Sequence, residues 1–340
     1  YAQGGFVVTG LLGCLLALVV WKFGTDWIDI VLPPAAMGPV VALIGLELAA
    51  NTVKGGAIGA DLMAVNPEGG LMLSPTMETG DILVFAVTLG VAVFGSVLFR
   101  GFLSVIPLLI AMICGYLTAV AAGVVDFSPL QNVSLFTIPD FHIAKFDLNA
   151  ILTICPVILV ITAEHIGHQV VTSKIVGRDL LKEPGLHRSL LGDNLSTAFS
   201  GLFGSVPTTT YGENIGVMAV TGVYSVQVIA GAAVISILMA FIGPLSAFIA
   251  TIPGDVIGGI TFLLYGMIGT SGLRILVDKK VDYGKNRNLI LTSVVFVAGL
   301  SGLTLTFGAV SITGMTLAAV TAVIISLLFY LLEKAGLMND

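Results

Sequence analysis

The sequence predicts an all-α polytopic membrane protein. Three observations carry that prediction: a scarcity of charge, a succession of long apolar runs, and basic residues gathered almost entirely on one side of the layout. Of 340 residues, 56% are apolar and 10% are charged, with a mean hydropathy of +1.06. Soluble chains carry about 25% charged residues. A chain this poor in charge cannot cover its surface with polar groups, so the missing solvent is lipid.

The runs come next. A span must cover about 30 Å at about 1.5 Å per residue. Eleven segments are read, at roughly 5–22, 28–50, 80–98, 102–124, 148–171, 187–203, 211–222, 226–250, 255–275, 288–304 and 312–332. The run 211–222 is too short to cross as a helix, and extended residues are expected to complete its depth. High glycine, 41 residues, suits helices that pack closely in lipid, where small residues let backbones approach.

Charge supports the layout independently. If the segments alternate, one side carries Lys22, Arg100, Lys174, Arg178, Lys182, Arg188, Arg274, Lys279, Lys280, Lys285, Arg287 and Lys334, twelve of the fourteen basic residues. Lys54 and Lys145 fall opposite, with Asp61, Glu68, Glu78, Asp126, Asp140 and Asp147. The positive-inside rule makes the basic side, and the C-terminus, cytoplasmic. Without a crossing at 211–222, Lys279 to Arg287 would change sides. Trp21 and Trp27 flank a cytoplasmic turn, as interface aromatics do. The long loops at 51–79 and 125–147 are placed outside, and turn-rich NPEGG and SPT mark the first. Glu47 is expected to be wet at an outer helix end, with His142 and His187 in loops.

Several function classes drop out. No basic run can grip nucleic acid. Cys14, Cys114 and Cys155 all lie in apolar runs, so neither a disulfide nor a metal site is expected. No cofactor is implied, and no signal peptide is visible. The chain starts at Tyr1 without Met, so preceding residues are expected to be missing. A faint internal repeat aligns LPPAAMGPVVALIGLEL (32–48) with IPGDVIGGITFLLYGMI (252–268), matching Pro33 to Pro253 and Gly38 to Gly258. Inverted repeats are a frequent transporter architecture.

The chemistry concentrates between 151 and 222. In ITAEHIGHQVV, Glu164 and His168 are four apart and share a helical face, while His165 points about 100° away. Ionisable groups inside apolar segments are costly and mark function. A buried pair that merely joins two helices is the competing reading, as is a wet position near the cytoplasmic end for His168. In GLFGSVPTTTYGENIGVMAVTG (201–222), glycines end one helix, Pro207 and three threonines favour extended backbone, and Tyr211, Gly212 and Glu213 open a short helix. This is the pattern of a discontinuous membrane helix, whose exposed N–H groups bind electronegative groups. The competing reading is a kink without a ligand, against which the buried Glu213 weighs. Two carboxylates, a histidine and a helix N-terminus suit a neutral, planar ligand with adjacent N–H and C=O groups. They would repel an anion, while a cation satisfies charge alone.

At these residues a family resemblance emerges. ENIGVMAVTG (213–222) resembles the signature of the nucleobase/ascorbate transporters, and AEHIGH resembles their eighth-span motif. LPPAAMG, GSVLFRGFL, PGLHRSLL and KVDYGKNRNLILTS resemble the bacterial uracil–proton symporters of that family, through nearly the whole chain. The resemblance implies two inverted repeats of seven spans, a core domain that binds substrate and a gate domain that moves against it. The chain would then begin near the fourth span, with the first three absent. Core is assigned to 1–24 and 148–250, gate to 25–147 and 251–340.

Carried over residue by residue, Glu164 and Glu213 would bind the pyrimidine ring, Gly212 would offer its N–H, and Tyr211 would line the pocket. His168 would bond Glu164 and join it in the proton path. Asn214 would support the loop and Tyr265 would approach from the gate side. Asp193 stands where uracil carriers have asparagine and purine carriers place an aspartate nearby, and is read as supporting the pocket from behind. The resemblance thus implies import of uracil with protons across a bacterial inner membrane, with a homodimer as a candidate assembly. A xanthine, other purine or ascorbate carrier is the alternative. An intramembrane metalloenzyme using Glu164, His165 and His168 is remote, because the zincin order is H-E-x-x-H.

Overall fold

The computed structural model describes residues 1–53, 63–65, 71–73, 78–308 and 310–338. Lys54, Asp61, Glu68, NPEGG and SPT lie outside the described residues. Helices dominate: α1 (Ala2–Phe23), α2 (Ile28–Val31), α3 (Pro34–Val53), α4 (Thr79–Leu98), α5 (Pro107–Ala122), α6 (Leu148–Ile154), α7 (Ile158–Val176), α8 (Leu186–Leu202), α9 (Gly212–Thr221), α10 (Val226–Met239), α11 (Gly243–Ala250), α12 (Gly254–Asp278), α13 (Asn286–Leu300) and α14 (Gly314–Lys334). Two antiparallel hairpins accompany them, β1 (Met63–Val65) with β2 (Leu71–Leu73), and β3 (Thr304–Phe307) with β4 (Val310–Thr313).

Five of the described stretches are long and apolar enough to cross a membrane: Ala2–Phe23, Thr79–Leu98, Leu148–Val176, Gly254–Asp278 and Gly314–Lys334. Leu11, Leu15, Leu18, Phe94, Val97 and Leu331 are exposed on these helices. Apolar side chains facing outward along whole helices belong against lipid. The chain is an integral, multi-pass membrane protein.

Proline explains most departures from the eleven expected runs. The run 28–50 breaks at Leu32, and α3 restarts with Pro34 in its first turn. The run 102–124 opens as a 3-10 turn at Gly101–Val105 before Pro107 begins α5. The run 148–171 divides at Cys155–Val157, a 3-10 turn holding Pro156. Proline has no N–H for the preceding turn but suits a first turn. The run 226–250 divides between α10 and α11, where Pro244 starts the new helix. That break is stitched by the segment before it: Thr137 N donates to Phe241 O at 3.0 Å and Gly243 N to Leu135 O at 3.1 Å. The hairpin β3–β4 takes residues that the runs 288–304 and 312–332 assigned to spans, turning at Gly308 with φ 63°.

The chain divides into two compact units. One comprises Tyr1–Glu47, Phe141–Ile215 and Ile268–Asp340, the other Leu48–Asp140 and Gly216–Met267. In the first, α1 lies along α8, and the backbones meet where Gly10 and Gly13 face Asn194 and Ala198. α3 meets the end of α12 at Gly272, where a side chain would collide with the Ala42 backbone. The buried Thr292 hydroxyl of α13 donates to Ala35 O of α3 at 2.7 Å. Glu47 is half-buried and accepts the Met315 N–H at the start of α14, so it caps a helix and is not merely wet. His187 sits in the first turn of α8, where a loop was expected.

In the second unit Thr88 is fully buried where Gly115 of α5 and Gly259 of α12 close on α4. Val84, Ala119 and Val256 form the core beside it. Tyr116 and Thr251 share a 2.8 Å hydroxyl hydrogen bond. Glu78 and Asp81 form a reciprocal capping box that starts α4.

Candidate functional site

The site is built in the first unit from α7, α8 and the link between α8 and α9. α8 ends at Leu202 and α9 begins at Gly212; the intervening residues are not helical. Backbone in this state needs partners in a low-dielectric medium. Hydroxyls on α8 supply them. Thr197 Oγ1 donates to Thr208 O at 2.8 Å, and Ser200 Oγ to Val206 O at 2.7 Å. Ser196 Oγ and Thr208 Oγ1 lie 2.5 Å apart. Gln3 Nε2 of α1 donates to Gly204 O at 2.7 Å. A polar stripe on one helix therefore holds a non-helical strap against it.

The strap delivers α9 to His168. Thr210 Oγ1 lies 2.7 Å from His168 Nδ1. A Cβ at Gly212 would sit 3.2 Å from His168 Nε2, so glycine lets the first turn of α9 rest against the imidazole. The first amides of a helix have no intrahelical acceptor and carry its positive dipole end. α9 has 10 residues, about 15 Å at the helical rise, or half of a bilayer core. The Thr209 hydroxyl is buried, with no hydrogen-bond partner among the described residues.

Glu164 lies one turn before His168 on α7 and is half-buried. Glu213 is the second residue of α9, and its side chain lies outside the described residues. Tyr211 is 64% exposed and Asn214 exposed, while Ile215 is buried. Tyr265 is on α12 within the second unit. The structure thus brings together His168, Gly212 and the strap, with Glu164 one turn earlier on α7.

Sequence reasoning missed two things. It gave His168 to Glu164 without seeing Thr210. It also set His165 aside, yet His165 is 1% exposed, with Nδ1 3.2 Å from Asp193 Oδ2 and Nε2 2.8 Å from Ser189 Oγ. Ser189 and Asp193 are four apart on α8 and so share one face of that helix, and that spacing was a readable signal. A shallow groove lined by Ser293, Val297, Ser301, Leu317 and Thr321 shares no residue with the site.

A sequence model of the Permease family matches residues 1–308. The chain belongs to that family. It is a transporter protein by membership, not an enzyme. This permease is 49% identical over 332 residues to the uracil permease of Escherichia coli (strain K12), covering 98% of this chain and 75% of the relative. It is 49% identical over 339 residues to the uracil permease of Paenibacillus larvae, covering 100% and 79%. It is 44% identical over 335 residues to the uracil permease of Bacillus subtilis (strain 168), covering 96% and 75%. The match runs through 96–100% of this chain in the three relatives.

Proposed function

We propose that this permease imports uracil together with protons by alternating access. The observation that carries the reading is the joint one: 44–49% identity to uracil permeases along nearly the whole chain, with the α9 N-terminus seated on His168 one turn from Glu164. Uracil is neutral and planar and presents N–H donors beside carbonyl acceptors. Glu164 and Glu213 accept its N–H groups, the Gly212 amide meets a carbonyl, and Tyr211 lines the pocket. Carboxylates are the acceptors that such donors require, and charge-assisted bonds are stronger than neutral ones. Asn214 supports the loop, and Tyr265 is assigned to the gate by the family resemblance.

Glu164 and His168 hold the coupled proton. Inward proton movement supplies about 2.3 kcal/mol per charge per 100 mV. Residues 1–24 and 148–250 act as the core, and 25–147 and 251–340 as the gate that rocks against it. The protein resides in a bacterial inner membrane with its C-terminus cytoplasmic, as the one-sided basic residues favour, and a homodimer is its candidate assembly.

A purine reading has one specific observation in its favour, the aspartate at 193. Its carboxylate is directed at His165, so it does not by itself choose between a pyrimidine and a purine. Labelled uracil uptake into proteoliposomes tests the proposal, with an imposed inward proton gradient and the same gradient collapsed by an uncoupler. Gradient-dependent uptake that excess xanthine leaves unchanged supports it. Uptake blocked by xanthine moves the substrate to purines, and folded protein that transports neither overturns the reading.

A further inference from the structure

The buried imidazole of His165 takes no part in the pocket just described, yet α8 holds it at both nitrogens. Nδ1 faces Asp193 Oδ2 at 3.2 Å and Nε2 faces Ser189 Oγ at 2.8 Å. The His165 and Asp193 side chains are only 2% and 9% exposed. Ser189 Oγ also lies 3.1 Å from Leu186 O. Its single hydroxyl proton thus has two acceptors within reach, the imidazole and the carbonyl.

Two complete proton arrangements follow. With a neutral ring, Nδ1–H donates to Asp193 and the Ser189 hydroxyl donates to Nε2. With an imidazolium, Nδ1–H still donates to Asp193, Nε2–H donates to the Ser189 oxygen, and the hydroxyl turns to Leu186 O. Every buried polar group keeps a partner in both. The ring can therefore take one proton from hydronium at Nε2, releasing water, without orphaning any group. The Asp193 carboxylate offsets the new charge, which a buried imidazolium requires.

We propose that His165, Asp193 and Ser189 form a proton-binding site of this permease, separate from Glu164 and His168. Its connection to the substrate strap is short. Ser196 Oγ donates to Asp193 O at 2.9 Å and meets Thr208 Oγ1 of the strap, and His168 follows His165 by three residues on α7. Other titratable groups on the elements around α7 are its own Glu164, His168 and Lys174, His187 and Arg188 on α8, and Cys14 and Lys22 on α1. Arg274 and Asp278 on α12, Tyr211 and Glu213 at the start of α9, Lys182 and Glu183 before α8, Cys155 before α7, and Tyr330, Glu333 and Lys334 on α14 are the others. The Asp193 carboxylate is in hydrogen-bond contact with the ring. A part for this site in transport rests on the proton-coupled reading above; the binding of a proton does not.

The test is nitrogen NMR on the full-length permease, labelled at histidine, in lipid nanodiscs. Four histidines are present, and His165→Gln assigns the signal by its loss. Between pH 5 and 9, Nδ1 of His165 is expected to stay protonated and Nε2 to gain a proton on acidification. In Asp193→Asn that gain is expected to require stronger acid, with Asp193→Glu restoring it. The pH profile of uracil uptake is expected to move the same way. A His165 Nε2 that never changes state, or a midpoint equal in wild type and a folded Asp193→Asn, overturns the proposal. Uptake indifferent to the proton gradient, with His165 titrating as expected, overturns the coupling reading and upholds the site.

Discussion

Gly13 on α1 meets Asn194 on α8 so closely that a Cβ at Gly13 would overlap the Asn194 carboxamide. Asn194 is itself buried and donates from Nδ2 to Leu190 O at 2.8 Å, so it has no room to retreat. The same helix that carries this contact carries Ser189, Asp193, Ser196, Thr197 and Ser200. α1 therefore backs the face from which the strap and the His165 pair are held.

Substituting Gly13 tests that backing. Gly13→Leu is expected to destabilise the fold by about 1–3 kcal/mol or more through overpacking, with Gly13→Ala milder. A thermal unfolding midpoint in detergent reads the effect. A Leu variant as stable as wild type would show that α1 and α8 can separate without cost.

Thr210→Val removes the hydroxyl that holds His168 Nδ1 while nearly preserving shape. A hydrogen bond contributes about 0.5–1.5 kcal/mol net, so uracil affinity is expected to fall about 2–12-fold, read by equilibrium binding. Unchanged affinity would show that the strap does not position His168.

Glu213→Gln replaces one carboxylate acceptor with a group that is partly a donor. Loss of a bond to a charged group costs about 1.5–3 kcal/mol, so uracil affinity is expected to drop about 10–150-fold. A binding titration that shows wild-type affinity would remove Glu213 from the pocket.

Glu47→Ala removes the carboxylate that accepts the Met315 N–H. Loss of a helix cap costs about 0.5–2 kcal/mol, and the unfolding midpoint is expected to fall accordingly. Uracil affinity in the protein that remains folded is expected to stay within about twofold, since the bond Glu47 makes is to the start of α14 and not to the strap or α7.

Much of this protein was legible from its residues because lipid imposes local rules. A bilayer demands long apolar helices whose backbone groups are satisfied internally, so α1, α4, α8, α12 and α14 fall within a few residues of their expected bounds. The break before Gly212 was legible too, because Gly201, Gly204, Pro207 and the threonines act on their own backbone. The hairpin β3–β4 was not. SGLTLTFGAVSIT is apolar without a charge, and hydrophobicity alone does not distinguish a strand from the end of a span.

The α7 face of Glu164 and His168 is a property of helical spacing, and the sequence determined it. The partners are another matter. Thr210 lies 42 residues from His168 and Asp193 lies 28 from His165, distances at which no periodicity operates. Only the folding of α8 and its strap onto α7 decided which imidazole is buried and which meets the start of α9. A helix fixes the direction of each side chain, but what that side chain touches depends on which other helix the chain returns to lay beside it.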